Sequence, residues 1–208
     1  MVDQTIATHT PLARPYRLIL AASTRLLAVE RLLIMGFMYL LTALILLNVA
    51  TRYARVPIYW IDESAVYSVV WLTFIGASAM TRLRLDFAVS MLTERLSERG
   101  AMIAKVLSTL AVIIFGLALM TMCWLWMDPV GLARAGFDAR EFAGQTFNFL
   151  YTERTQTLGW PTWSLYLIMP IFAVSMTIHG LANLIEDLEL APKASHPSFV
   201  LSAVDGVN

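Results

Sequence analysis

Charged residues are scarce in this sequence. They make up 14% of the 208 residues, whereas 58% are hydrophobic, and a soluble globular domain usually carries about 25% charged residues. The deficit indicates an integral membrane protein. The numbers of basic and acidic residues are equal, so no basic excess points to a nucleic-acid partner.

Residues that carry catalysis or bind cofactors are also scarce. The single cysteine, Cys123, excludes an internal disulfide or a CxxC site, and we expect it to be a small buried apolar side chain. Only one of the three histidines, His179, lies in an apolar run, whereas a bis-histidine haem needs two. No P-loop, nucleophile elbow or HExxH motif occurs. We therefore expect no catalytic residue, no cofactor, no metal and no enzymatic activity.

Four long apolar stretches predict the fold class, an all-α integral membrane protein with four transmembrane helices. They lie at about 32–51, 65–81, 101–127 and 161–185, and about 20 apolar residues suffice to cross a bilayer. The first stretch lacks the cleavage site of a signal peptide, so we expect it to remain as a span. Pro170 is expected to kink the fourth span.

Further segments flank the spans. Residues 17–31 mix leucines with arginines and predict either an amphipathic helix on the membrane surface, within an N-terminal segment 1–31, or a helical extension of the first span. Residues 82–100 predict an interfacial amphipathic helix that Gly100 ends. The 128–160 loop is long enough to be functional or docked, and 186–208 is expected to be a polar tail.

Lys and Arg counts predict the orientation. With four spans, ten of the fifteen Lys and Arg residues fall on the side that holds both termini. The positive-inside rule then places the N and C termini in the cytoplasm. The 128–160 loop would face outward, into a periplasm if the cell is Gram-negative.

The start of the second span carries interface signals. Tyr59 and Trp60 indicate an aromatic belt. Asp62 is expected to be the helix N-cap, and a salt bridge between Arg52 and Glu63 would join the ends of the first two spans. The alternative for Arg52 is simple snorkelling to the interface.

Two stripes of side chains indicate helix contacts. Thr73, Ala77 and Thr81 are spaced four apart, which lets another helix approach the second span closely. Near the end of the fourth span, a polar stripe is expected to form interhelical hydrogen bonds or to contact a partner; it consists of His179, Asn183, Glu186 and Asp187. No acidic residue lies at the middle of a predicted span, which argues against ion coupling within this chain alone.

Three motifs in order resemble those of the small membrane subunit of TRAP (tripartite ATP-independent periplasmic) transporters, the DctQ family. They are NVATRY at 48–53, WIDE at 60–63 and VWLTFIGA at 70–77, followed by Arg82. The motif TLGWPTW at 157–163, Pro170 and HGLANLIE at 179–186 fit the same family. The resemblance covers about residues 30–187. One departure is Asp86, near which the family often has a histidine after a glycine.

The resemblance implies a small scaffold subunit in the bacterial inner membrane. It would pack on a large multi-spanning subunit that moves an organic acid anion, such as a C4-dicarboxylate, with the sodium gradient. It would also help dock a periplasmic substrate-binding protein. The candidate interface residues are Arg52, Trp60, Asp62, Glu63, Thr73, Ala77, Thr81, Arg82, His179 and Asn183. The alternatives are an autonomous four-helix channel or exporter, or a membrane redox subunit.

Overall fold

The computed structural model describes residues 14–84 and 96–192. Within these ranges the chain is mostly helical. The helices are α1 (Arg14–Tyr53), α2 (Tyr59–Leu83), α3 (Glu98–Met127), α4 (Pro129–Arg134), α5 (Ala139–Thr146), α6 (Thr162–Tyr166) and α7 (Ile168–Asp187).

The prediction of four membrane-spanning helices is confirmed. In the described part, four helical stretches are long and apolar enough to cross a bilayer: Tyr16–Tyr53, Tyr59–Leu83, Glu98–Arg134 and Thr162–Asp187. The second and third begin before the predicted boundaries, because the charged residues at their starts are accommodated in the first helical turn.

The first helix is one uninterrupted element. It runs for 40 residues, about 60 Å at 1.5 Å per residue, which is twice the thickness of a hydrocarbon core. Residues 17–31 therefore extend the first span, which is the alternative that the sequence left open. The predicted amphipathic helix within segment 1–31 is wrong as a separate surface element. Ser23, Leu27 and Glu30 are buried, and their spacing of four and three places them on one face that packs against the bundle.

Two predicted helix boundaries are wrong. Helix α2 begins at Tyr59 with Ile58 at the N-cap, so Asp62 lies inside the first turn and does not cap the helix. Gly100 lies in the first turn of α3, where Ser97 is the N-cap and its Oγ accepts a hydrogen bond from the Gly100 N–H. The predicted amphipathic helix at 82–100 falls largely outside the described residues, as does Asp86.

The fourth span is interrupted near Pro170, as predicted. Helix α6 ends at Tyr166 and α7 begins at Ile168. Proline has no N–H to donate to the carbonyl four residues earlier, that of Tyr166, so the interruption falls one turn before the proline.

Helix α7 is the centre of the bundle and packs against α1, α2 and α3. In the most apolar stretch of the fourth span 44% of residues are buried, against 6% in the first span. The first span therefore lies at the periphery and presents most of its apolar surface outward.

Glycines allow α3 and α7 to approach closely. A Cβ atom at Gly180 would lie 2.9 Å from Ile113 Cγ1, and one at Gly116 would overlap Thr177 Oγ1. The Thr177 hydroxyl donates a hydrogen bond to the Ala173 carbonyl at 2.7 Å, so it cannot move away without losing that bond. In lipid there is no hydrophobic driving force between helices, and small residues at a helix crossing favour association because they let the two backbones pack closely.

We predict that Gly116→Ala destabilises the protein by about 1–3 kcal/mol, because the added methyl group overpacks the α3–α7 contact. Thermal unfolding in detergent measures the effect. Gly36→Ala is the matched control, since a Cβ there meets nothing within 4 Å. Equal unfolding temperatures for the two variants would show that the contact tolerates the extra volume.

Candidate functional site

A buried ion pair joins α2 to α7. The Arg82 guanidinium donates to both carboxylate oxygens of Glu186, at 2.5 and 3.0 Å, and to the Asn183 side-chain oxygen at 2.6 Å. Asn183 in turn donates to the Thr81 carbonyl at 2.7 Å. All but Thr81 of these residues are buried, so the charges are compensated by each other in a medium of low dielectric constant.

A second ion pair extends this contact to α3. Arg84 lies just after α2 in a left-handed conformation, φ 55°, and donates to Asp187 at 2.6 Å and to the Asn183 carbonyl at 2.9 Å. The Thr109 hydroxyl on α3 donates to the other Asp187 oxygen at 3.1 Å. The Asp187 carboxylate on α7 thereby connects this helix to the end of α2 and to α3. The predicted boundary of a polar tail at residue 186 is wrong, because Glu186 and Asp187 end α7 and are buried.

A third polar contact brings α1 into the same network. Glu30 accepts a hydrogen bond from the Ser78 hydroxyl at 2.6 Å and lies 3.0 Å from His179 Nε2. The other ring nitrogen, Nδ1, lies 2.8 Å from Ser23 Oγ. His179 is fully buried, and both of its nitrogens therefore have partners on α1.

We call these three contacts the buried polar network. The predicted polar stripe on the fourth span forms its centre, and the expectation of interhelical hydrogen bonds is confirmed. No group of His, Cys, Asp and Glu side chains with metal-binding geometry occurs among the described residues. The network holds helices α1, α2, α3 and α7 in one register.

Sequence reasoning missed the residues that complete the network on the other helices. They are Ser23, Glu30, Ser78, Arg84 and Thr109. A signal was present for α1, because Ser23 and Glu30 are seven residues apart and so share a face with Leu27. Nothing in the local sequence distinguished Thr109 from other threonines in apolar helices.

The opposite end of α1 and α2 carries an exposed ion pair. Arg52 donates to Asp62 at 2.7 Å and to the Asn48 side-chain oxygen at 2.9 Å, while Asn48 Nδ2 donates to Asp62 at 2.5 Å. The predicted Arg52–Glu63 salt bridge is wrong, since consecutive residues on a helix point 100° apart and only Asp62 faces α1. The expected link between the ends of the first two spans exists, with Asp62 as the partner.

Glu63 binds the segment that precedes the fourth span. Its carboxylate accepts hydrogen bonds from the backbone N–H groups of residues 156, 157 and 158, at 2.9, 2.8 and 2.9 Å. It also accepts one from the Thr157 hydroxyl. Residues 154–161 form a hairpin closed by the Arg154–Pro161 bridge. Glu63 therefore fixes the hairpin to the start of α2.

The 128–160 segment, for which the sequence predicted a functional or docked loop, contains two short helices. Asp138 caps α5 by accepting from the N–H groups of Glu141 and Arg140, and these bonds lower the pKa of its carboxyl. Burial raises the pKa of the Tyr151 hydroxyl, which donates to the Met127 carbonyl at 2.7 Å. The segment is thereby attached to the end of α3.

The structure separates the predicted interface residues into two groups. Arg82, His179 and Asn183 lie inside the bundle, where they contact helices of this chain. The others lie at or near the surface, namely Arg52, Trp60, Asp62, Glu63, Thr73, Ala77 and Thr81. The small-residue stripe on α2 points away from α1 and α7, and its role as a partner contact stays a prediction.

Comparison with known proteins identifies one family. The family model described as the DctQ component of tripartite ATP-independent periplasmic transporters matches residues 41–190. The match covers well over half of the chain and includes the ion pair of α1 with α2 and the Arg82–Glu186 pair. No curated protein matches the chain.

We predict that Arg82→Met destabilises the protein by about 3–5 kcal/mol, because it leaves the buried Glu186 carboxylate without its main counter-charge. The double variant Arg82→Met with Glu186→Met should recover much of this loss, since it removes both charges. Unfolding in detergent measures both. Arg52→Met, at the exposed pair, should cost below about 1 kcal/mol; an equal loss at both arginines would contradict the assignment of the network.

Proposed function

Because the chain belongs to the DctQ family, the small membrane components of TRAP transporters, we propose that it is the scaffold on which a large multi-spanning membrane subunit packs. The large subunit carries the substrate and ion sites and imports an organic acid anion, a C4-dicarboxylate or another carboxylate, with the sodium gradient. A periplasmic substrate-binding protein delivers the substrate. The complex resides in the bacterial inner membrane with both termini of this chain cytoplasmic.

The observation that supports the scaffold role is that the buried charged side chains join the helices of this chain. The buried charged side chains and the buried histidine of the described residues each have a partner within this chain: Glu30 pairs with His179, Arg82 with Glu186, and Asp187 with the half-buried Arg84. Charged groups inside a membrane protein are commonly transport or relay sites. Here they connect helices, which favours a static subunit over a channel, an exporter or a redox protein.

Two surfaces are suited to the large subunit. Helix α1 exposes most of its apolar length, and α2 exposes Thr73 and Ala77 on the small-residue stripe. A Cβ atom at the neighbouring Gly76 would meet nothing within 4 Å, so the backbone of α2 is accessible on this side. Close approach of another helix to such a stripe gains packing and carbonyl contacts in lipid.

The outer polar face is suited to the periplasmic protein. It consists of the exposed Arg52–Asp62 pair, Trp60 and the hairpin 154–161. Complementary charges on such a face steer association and fix orientation. Glu63 contributes to this face by positioning the hairpin, because its carboxylate accepts hydrogen bonds from four donors of the hairpin.

The scaffold role predicts stoichiometric copurification of a large apolar protein with the tagged chain from mildly solubilised native membranes. Ala77→Leu should lower the copurified amount several-fold, because the branched side chain blocks helix approach. Quantitative mass spectrometry of the eluate measures the ratio.

Ala118→Leu is the matched control, since Ala118 is exposed on α3, away from the small-residue stripe. Purification of the wild-type chain alone would refute the scaffold role and favour an autonomous channel. Undiminished copurification of the Ala77→Leu variant, with wild-type copurification intact, would refute only the assignment of the α2 stripe.

Reversal of charge at Glu63 tests the outer polar face. Glu63→Lys should reduce substrate uptake strongly while complex assembly stays near wild type, because the hairpin loses its four-donor acceptor. Uptake in proteoliposomes, normalised to assembled complex, measures the effect.

Thr157→Val is the graded control, since it removes the hydroxyl donor and keeps the backbone donors to Glu63. Its uptake should lie between that of the wild type and Glu63→Lys. Wild-type uptake by the charge-reversal variant would show that the hairpin position does not matter for docking.

A further inference from the structure

A groove lined by aromatic, aliphatic and polar side chains lies beside the end of α3, outside the buried polar network and the outer polar face. Its volume is about 500 Å³. The apolar and aromatic part of its lining consists of Leu125, Trp126, Phe147, Phe149, Leu150 and Tyr166. We call it the aromatic groove.

Backbone contacts fix the depth of the aromatic groove relative to the third span. Asn148 Nδ2 donates to the Trp126 carbonyl at 2.6 Å, and the Tyr151 hydroxyl donates to the Met127 carbonyl at 2.7 Å. Residues 148–151 are therefore level with the last turn of α3. Phe147 and Leu125 line the same groove, so Phe147 lies near the last turns of α3.

Two phenylalanines of the 128–160 segment are unusually exposed. Phe147 is 82% and Phe137 75% exposed, and both have left-handed backbone conformations, with φ of 57° and 62°. Bulky residues rarely adopt this conformation, and in turns exposed to water the left-handed position is usually occupied by glycine or asparagine. Two strained positions that carry large apolar side chains on the surface point to a function for those side chains.

The exposed surface next to the groove belongs to a transmembrane helix. Leu125 is 71% exposed on α3, and Trp124 on the same turn is also exposed, as is typical of residues at the boundary between hydrocarbon and head groups. The aromatic groove borders this surface, since Leu125 and Trp126 of α3 line it together with Phe147 and Phe149, while Asn148 and Glu153 form the polar part of its lining.

We propose that the bilayer covers this face. The phenyl rings of Phe147 and Phe149 enter the hydrocarbon boundary of the leaflet on the side where the 128–160 segment emerges. A phospholipid acyl chain fills the aromatic groove, and Glu153 and Asn148 lie at its polar rim near the head groups. Segment 137–149 is thereby an interfacial anchor and is withdrawn from any soluble partner.

The proposal divides the surface on this side of the membrane. Lipid covers the α3 half, which carries Phe147 and Phe149, whereas the polar half, with the Arg52–Asp62 pair and the hairpin 154–161, remains in water. The anchoring also orients the hairpin, because residues 150–153 connect it directly to the lipid-covered half.

Spin-label accessibility tests the proposal in the assembled transporter complex in lipid nanodiscs. Cys123 is buried and is replaced by alanine, and single cysteines are introduced as Phe147→Cys, Ile114→Cys and Gln156→Cys. Power saturation with oxygen and with a water-soluble nickel chelate measures depth. Ile114, exposed in the middle of α3, is the hydrocarbon reference, and Gln156, exposed on the hairpin, is the aqueous reference.

We expect the label at position 147 to collide several-fold more with oxygen than with the nickel chelate, as at position 114. A nickel-accessible label, as at position 156, would overturn the proposal. A label that neither reagent reaches would also overturn it, because a protein partner would then cover the face. Phe137→Cys provides a second reading if labelling at 147 reduces assembly.

Discussion

The pairing of Arg82 with Glu186 is the constraint on which the bundle depends. Both side chains are buried between α2 and α7, where an unpaired charge is strongly unfavourable. The bidentate geometry permits one rotation and one register of α2 against α7. The hydrogen bond of Thr109 with Asp187, and the pair of Glu30 with His179, then fix α3 and α1 relative to the same helix. Such a network contributes little net energy compared with apolar packing, and its main effect is to select one arrangement of helices.

This arrangement explains the distribution of surface. Helix α7 contacts the three other spanning helices and is the most buried span, so it has little area left for a partner. Helix α1 is the least buried and its apolar length faces outward. Since the helices of a membrane protein gain little hydrophobic energy by associating, close packing in the register that the network selects can hold the bundle together while long apolar faces stay available to another subunit.

The four spans and the centre of the buried polar network could be predicted from the sequence. Long apolar runs are a strong signal in lipid because every backbone polar group must be satisfied within the helix. The stripe from His179 to Glu186 followed from helical periodicity. Glu30 was missed because the arginines around it suggested a surface segment. The partner of Arg52 was wrong because only the packed structure decides which of two adjacent carboxylates, 100° apart on α2, faces α1.

The two ends of the molecule use charge differently, and burial is the reason. The buried pairs are rigid and compensated, whereas the Arg52–Asp62 pair is 60% and 50% exposed and contributes little to stability. A pair of this kind can exchange its partner for one on another protein at low cost. Glu63 cannot, since the N–H groups of the hairpin already occupy its oxygens. Any influence of Glu63 on docking must therefore act through the position of the hairpin. That position depends both on the contact of residues 154–161 with Glu63 and on how deeply the neighbouring segment lies in the bilayer.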